Sequence, residues 1–274
     1  MNGSDSLASA LPSALDSAEE IRGRLAGRPL FVCLDYDGTL TPIVARPELA
    51  MLGAEMRETL AALSRVYPTA VISGRSKEDA RKAVDLDGIY YAGNHGLEIE
   101  GPDGTDLRYE TGAEFIPEVE RVYEALEQRL GNIEGILIEN KTYSLSVHFR
   151  NVDPKQLPRI EQTLEEVLAD QPRLNRREGK KVFEVRPDID WDKGKAVMWL
   201  LDALGARTEN ANVVYVGDDV TDEDAFRVLR DSGRGFGIIV LEEPRETAAE
   251  YVLRSVDDVR RFLHALVEMV QPVR

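Results

Sequence analysis

Two short apolar runs, Leu30 to Leu34 and Val213 to Val216, each end in a cluster of carboxylates. The first leads into Asp35-Tyr36-Asp37-Gly38-Thr39-Leu40-Thr41, the second into Gly217-Asp218-Asp219-Val220-Thr221-Asp222-Glu223-Asp224. An apolar run without polar alternation is the pattern of a strand buried on both faces, as in a parallel sheet covered by helices. Parallel strands release the chain at one shared edge, so two acidic turns far apart in sequence are expected side by side. Crowded carboxylates are costly to bury unless a cation joins them. Hard oxygen ligands of this kind suit Mg²⁺ bridged to a phosphate. The pattern implies an α/β fold with a Mg²⁺-dependent phosphoryl-transfer site at one sheet edge.

The surrounding segments keep the alternation. A peripheral helix from about Ala14 to Leu25 precedes the first strand, and a helix from Met56 to Tyr67, a strand at Thr69 to Ile72 and a helix near Lys77 to Val84 follow it. Strands alternating with helices predict right-handed crossover units in an open, Rossmann-like sheet. The rhythm breaks at the turn cluster Gly101-Pro102-Asp103-Gly104. Beyond it the pattern predicts a polar strand at Leu107 to Glu110, a helix from Pro117 to Leu130, a hairpin of Gly135 to Glu139 and Ser144 to Arg150, a helix from Pro154 to Leu168 and a strand at Lys181 to Arg186. Residues 102–185 read as an inserted α+β domain, and 1–101 with 186–274 as a discontinuous core whose residues 1–28 are peripheral.

The parallel sheet is expected to resume at Trp191, with a helix at Lys195 to Leu204, the Val213 to Val216 strand, a helix at Asp222 to Leu229, a strand at Gly237 to Val240 and a closing helix from Val256 to Val270. Gly233-Arg234-Gly235-Phe236-Gly237 precedes a strand instead of opening a helix, so it reads as a turn and not as a dinucleotide loop.

A net charge of −16 disfavours nucleic acid and anionic membranes as partners. An anionic substrate must then be held by local cations, since distant carboxylates are screened beyond a Debye length of roughly 8 Å. The lone cysteine, Cys33, lies inside an apolar strand and reads as an inert buried thiol in a reducing compartment. Met1 to Glu20 lacks a basic start leading into an apolar stretch, and no run of about 18 apolar residues marks a membrane span, so a cytoplasmic location is expected.

Phosphate monoesters hydrolyse so slowly unaided that a nucleophile, charge neutralisation and leaving-group protonation are all needed. Asp35, at the end of a buried strand, is the candidate nucleophile. Asp37, beyond the strand end and able to reach the same site from a bend helped by Gly38, is the candidate acid and base. Alone, two such Asp residues also serve as turn formers or helix caps. Ser73-Gly74-Arg75 after the Thr69 to Ile72 strand offers a hydroxyl and backbone donors for a phosphoryl oxygen. Lys193, in Trp191-Asp192-Lys193-Gly194-Lys195, offers a fixed ammonium that neutralises nucleophile and transferring group. Asp218 would join Asp35 and the Asp37 carbonyl around Mg²⁺, with Asp219 or Asp222 anchoring behind them. Asp222 equally suits the N-cap of the next helix.

With these four elements in order, the chain resembles the haloacid dehalogenase phosphatase superfamily, and within it the trehalose-6-phosphate phosphatases, from Leu30 to Val267. The finer resemblance rests on Asp35-Tyr36-Asp37-Gly38-Thr39-Leu40-Thr41-Pro42-Ile43, Gly93-Asn94-His95-Gly96, Lys181-Val182-Phe183-Glu184-Val185-Arg186-Pro187, Thr221-Asp222-Glu223-Asp224-Ala225-Phe226 and Gly235-Phe236-Gly237-Ile238. It implies a mobile cap inserted between the Ser73 and Lys193 motifs. It also implies substrate groups from that cap at Glu139, Lys141, Arg150 and Glu184, which can hydrogen-bond sugar hydroxyls. His148 is expected on Arg150's strand face by period-two alternation. Arg75, Asn94 and His95 join the candidate substrate-binding set, although a structural role suits His95 as well. His264 reads as structural or solvated.

The implied partner is a small sugar phosphate, with association with a trehalose-6-phosphate synthase as a second. The same chemistry also fits sucrose 6-phosphate or mannosyl-3-phosphoglycerate. A catalytically silent sugar-phosphate sensor is the reading from another class, against which stands the presence of every expected catalytic residue.

Overall fold

The computed structural model describes residues 6–7, 11–205, 211–241, 243 and 245–269. Parts of the expected peripheral segment 1–28, and Val270 at the end of the expected closing helix, lie outside the described residues. In chain order the first half contains strand β1 (Ser6–Leu7), helix α1 (Ala18–Leu25), β2 (Leu30–Leu34), α2 (Ala54–Ser64), β3 (Thr69–Ile72), α3 (Lys77–Val84), β4 (Tyr90–Gly93), β5 (Glu98–Glu100), β6 (Arg108–Glu110) and α4 (Ile116–Leu130). Next come β7 (Leu137–Asn140), β8 (Leu145–His148), α5 (Leu157–Leu168), β9 (Leu174–Gly179), β10 (Val182–Pro187) and α6 (Lys193–Ala203). The chain continues through β11 (Asn212–Gly217), α7 (Glu223–Ser232), β12 (Gly235–Val240), β13 (Glu246–Thr247), β14 (Tyr251–Leu253) and α8 (Val256–Glu268).

The described residues divide into two compact units, one running to Tyr109 and resuming at Trp191, the other from Glu110 to Asp190. The first holds an eight-stranded sheet in the order β14-β12-β11-β2-β3-β4-β5-β6. From β14 through β4 the neighbours are parallel, and β5 returns antiparallel beside β4. β6 extends this sheet, so the break falls at Tyr109 and Glu110 and not at the expected Pro102. A strand of Arg, Tyr and Glu has too little apolar surface for a centre, which suits an edge.

Every residue of β2, β3, β11 and β12 is buried, as the apolar runs predict. Their side chains alternate between two cores. Val32, Leu34, Val214 and Val216 pack with Leu60, Leu63 and Phe262 on one face, while Phe31, Cys33, Val213 and Tyr215 pack with Leu200, Leu201 and Phe226 on the other. Burial pushes the Cys33 thiol well up, which keeps it inert. Gly235 and Gly237 belong to β12 and form no turn. A Cβ at Gly235 would lie 2.0 Å from the Val213 carbonyl oxygen, and one at Gly237 2.2 Å from the Phe226 ring. These glycines admit close strand and helix contacts, a need that looks like a turn signal in sequence.

The second unit is an antiparallel sheet in the order β7-β8-β10-β9. Ile138, Val147, Phe183 and Val185 point to one face and pack against α4 and α5 through Val119, Val122, Leu126, Ile160 and Leu164. Register therefore puts Glu139, Ser146 and Glu184 on the opposite face. The alternation expected to add Arg150 to His148's face stops at His148, where β8 ends. Phe149 turns toward the core beside Phe183, ring centroids 4.6 Å apart, and Arg150 sits in the following turn, donating through Nη2 to the Lys180 carbonyl at 2.8 Å.

Candidate active site

The carboxyl ends of β2, β3 and β11 bring three of the expected elements to one edge, and α6 supplies the fourth. Asp35 leaves β2 with its N–H bonded to the Val216 carbonyl at 2.8 Å, which ties the first acidic turn to the strand that carries the second. Gly38 follows at φ 84°, and a Cβ there would lie 2.2 Å from Asp218 Oδ2. Only glycine fits both that backbone and that approach.

Lys193 opens α6, two residues before the expected start, because Asp192 caps the helix by accepting the Lys195 N–H at 2.8 Å. Its buried ammonium donates to Asp35 Oδ1 and to Asp222 Oδ1, each at 2.7 Å. Tyr215 donates its hydroxyl to the same Asp222 oxygen at 2.8 Å, and Asp222 Oδ2 accepts the N–H groups of Asp218 and Asp219 at 3.0 and 2.9 Å. Asp222 holds the N-cap position of α7, as one of the two sequence readings has it, but its side chain caps nothing there and is committed to these partners, which suits the other reading, an anchor behind the acidic cluster. Asp219 caps the turn before α7 and Asp222 answers as the reciprocal partner of a capping box. Reasoning from the sequence missed Tyr215, whose only signal is a hydroxyl within an otherwise apolar buried run.

Burial pushes the Asp35 carboxyl well above the usual carboxylate range; Lys193 works against that shift while Asp222 and Asp218 add to it. Lys193 is raised in spite of burial by its two carboxylate partners. Ligand oxygens of Asp35, Asp218 and Asp222 lie within 4.8 Å of one another, all three residues buried. Three carboxylates against one ammonium leave an excess of negative charge that a divalent cation would neutralise, and an all-oxygen donor set is that of a hard cation. The residues fit such an ion.

Asp37 stands apart from that cluster. Arg75 grips both its oxygens, Nε to Oδ2 and Nη2 to Oδ1 at 2.7 Å each, and also donates to the Pro47 carbonyl at 2.8 Å while lying 5.0 Å over the Tyr36 ring. Ser73 Oγ accepts the Arg75 N–H at 3.1 Å, which shapes the loop after β3. Asn94 and His95 follow β4 at this edge, both buried. In the second unit, Lys141 Nζ lies 3.5 Å from Glu184 Oε1 and His148 Nε2 3.0 Å from Glu139 Oε2. His264 is exposed on α8, 3.6 Å from Glu268. No described helix is long and apolar enough to cross a membrane.

The sequence matches the family described as trehalose-phosphatase over residues 33–257. Trehalose-phosphate phosphatase B of Arabidopsis thaliana is 44% identical over 266 residues, covering 94% of this chain and 71% of that one. Among solved structures, the C. albicans trehalose-6-phosphate phosphatase C-terminal domain aligns with a TM-score of 0.80 at 24% identity, covering 95% of this chain and 100% of that one. A haloacid dehalogenase-like hydrolase from Bacteroides thetaiotaomicron aligns with a TM-score of 0.62 at 18% identity, covering 87% and 100%. At those identities the two structures speak for the fold alone, a Rossmann-like α/β core with a central parallel sheet.

Proposed function

The chain belongs to the trehalose-phosphatase family, and we propose that it hydrolyses trehalose 6-phosphate to trehalose and phosphate through a phosphoryl group carried on Asp35. The observation that supports this chemistry is the buried constellation of Asp35, Lys193, Asp222 and Asp218 at the carboxyl edge of the sheet. Asp35 attacks phosphorus, and an aspartyl-phosphate forms as the bond to the sugar oxygen breaks. Asp37 gives its proton to that oxygen, then takes one from the water that attacks the aspartyl-phosphate, releasing phosphate and restoring Asp35. For the first transfer Arg75 must yield an oxygen of Asp37, and the incoming phosphate is the anion that can replace it. Lys193 and the Ser73 loop hold the phosphoryl oxygens.

We assign the cation to Mg²⁺, held by Asp35, Asp218 and the Asp37 carbonyl with Asp222 behind them. When bound it supplies charge neutralisation between nucleophile and phosphate. Recognition of the sugar hydroxyls is assigned to the polar face of the smaller sheet, through Glu139, Lys141, His148 and Glu184, with Arg150 in the adjoining turn and the unit serving as a cap. A cytoplasmic location and association with a trehalose-6-phosphate synthase complete the reading, the latter testable by co-purification.

Phosphate release across a panel of sugar phosphates, with EDTA and then with Mg²⁺ restored, tests the whole. Trehalose 6-phosphate is expected to be turned over fastest and only with metal. Undiminished turnover in excess EDTA would remove the cation, and a stronger preference for sucrose 6-phosphate or mannosyl-3-phosphoglycerate would replace the substrate.

A further inference from the structure

The turn Asn94–Gly96 has no part in the mechanism above, yet its backbone is the least relaxed at this edge. Three consecutive residues take left-handed conformations, Asn94 at φ 49°, His95 at 58° and Gly96 at 96°. Glycine does so freely, but asparagine and histidine do so at a cost, and such strain persists where the surroundings over-determine it.

The surroundings here are the catalytic loops themselves. The Asn94 N–H donates to the Arg75 carbonyl at 2.6 Å and the His95 N–H to the Ser73 carbonyl at 2.9 Å, so the turn holds both ends of the Ser73–Arg75 loop. Asn94 Nδ2 donates to Glu98 Oε1 at 2.8 Å, and that oxygen also accepts the N–H of Lys77, the first residue of α3, at 2.9 Å. A Cβ on Gly93 would lie 2.1 Å from the Lys77 nitrogen, and one on Gly96 2.3 Å from the Cβ of Ala196 in α6, the helix that begins with Lys193. The turn is thus wedged between the loop bearing Ser73 and the helix bearing Lys193. Asn94 is fully buried with its amide engaged by Glu98, a poor arrangement for meeting a sugar.

We propose that the left-handed turn Asn94–Gly96 is a positioning element that sets the Ser73–Arg75 loop against Lys193, and that Glu98, which lies in none of the catalytic motifs, locks it in place. Asn94 then serves the phosphoryl group through the loop and is not a sugar ligand. The inference rests on the reading that this loop holds the transferring phosphoryl group.

The test is steady-state kinetics of the full chain with Mg²⁺ on trehalose 6-phosphate and on 4-nitrophenyl phosphate, together with inhibition by inorganic phosphate. Glu98→Ala should lower kcat/KM on both substrates by the same factor, about tenfold or more for the loss of hydrogen bonds to a charged acceptor. It should also weaken phosphate inhibition. Glu98→Gln, whose amide oxygen can accept the same two N–H groups, should recover most of the activity. Asn94→Gly keeps the left-handed backbone and loses only the amide, so it should share the kinetic loss while melting above Asn94→Ala. It decides the matter if Glu98→Ala does not fold. Wild-type kcat/KM on 4-nitrophenyl phosphate in Asn94→Gly and in folded Glu98→Ala would overturn the proposal, as would a loss confined to the sugar phosphate. Failure of the wild type to release phosphate from either substrate would overturn the functional reading, and this inference with it.

Discussion

Replacing Asp218 by asparagine should stabilise the metal-free protein while abolishing its response to Mg²⁺. Carboxylate oxygens of Asp35, Asp218 and Asp222 lie within 4.8 Å of one another, and Lys193 is hydrogen-bonded to only two of these residues, Asp35 and Asp222. At that separation and an effective dielectric constant of about 20, one carboxylate pair repels by roughly 3.5 kcal/mol. Asp218 takes part in two such pairs, about 7 kcal/mol of gross repulsion. Much of it is already relieved, because Asp35 is pushed well up chiefly by burial and so retains its proton more readily. Each pKa unit of that kind corresponds to about 1.4 kcal/mol. The asparagine also forfeits attraction to Lys193. We expect a net gain on the order of 1–2 kcal/mol, or a Tm higher by about 2–8 °C. Wild type should regain about 2.7 kcal/mol when free Mg²⁺ stands at 100 times its Kd, which reverses the order of the two proteins. Thermal denaturation by circular dichroism in EDTA and in saturating Mg²⁺ measures both. Asp218→Asn melting below wild type in EDTA, or equal Mg²⁺ shifts in the two, would refute the reasoning.

Asp35→Asn should lose nearly all turnover while folding normally, since an amide is a poor nucleophile. The raised Asp35 carboxyl binds its proton more tightly folded than unfolded, so its contribution is fully present below the ordinary value of about 4 and is lost as pH rises toward the raised one. In EDTA the Tm of Asp35→Asn should therefore gain on wild type between pH 4 and 7, and a gap that stays constant would contradict this. Asp37→Asn should suffer most on trehalose 6-phosphate and least on 4-nitrophenyl phosphate, whose leaving oxygen hardly needs a proton; equal losses would argue against an acid. Lys141→Ala and Glu184→Ala should each cut kcat/KM for trehalose 6-phosphate by on the order of 10²-fold and leave the aryl phosphate little changed. Trehalose 6-phosphate turnover indifferent to both would remove the sugar from that face.

How far the sequence carries depends on where the information lies. β3 and α3 begin and end as the sequence predicts, because an apolar run after Pro68 and a serine cap at Ser76, accepting the Asp79 N–H, are local signals. β9 reads Leu-Asn-Arg-Arg-Glu-Gly and was not expected as a strand. Only Leu174 in it is buried, and its conformation follows from pairing with β10. The site divides the same way. Asp35, Ser73 and Asp218 converge because parallel strands share an exit edge, which is a rule of topology legible from spacing. The Arg75 grip on Asp37 and the Tyr215 hydroxyl depend on side-chain reach between elements, which spacing does not encode. Asp222 is the clearest case. In sequence it is an acidic residue at a helix start, where an anchor behind the metal site and a helix cap are equally good readings, and spacing alone does not choose between them. In the fold Lys193, Tyr215 and two backbone N–H groups converge on its two oxygens. A carboxylate committed on both oxygens orders its neighbours and is poorly placed to attack phosphorus. Asp35 meets Lys193 through Oδ1 and shares that ammonium with Asp222, an environment compatible with the nucleophilic role proposed for it.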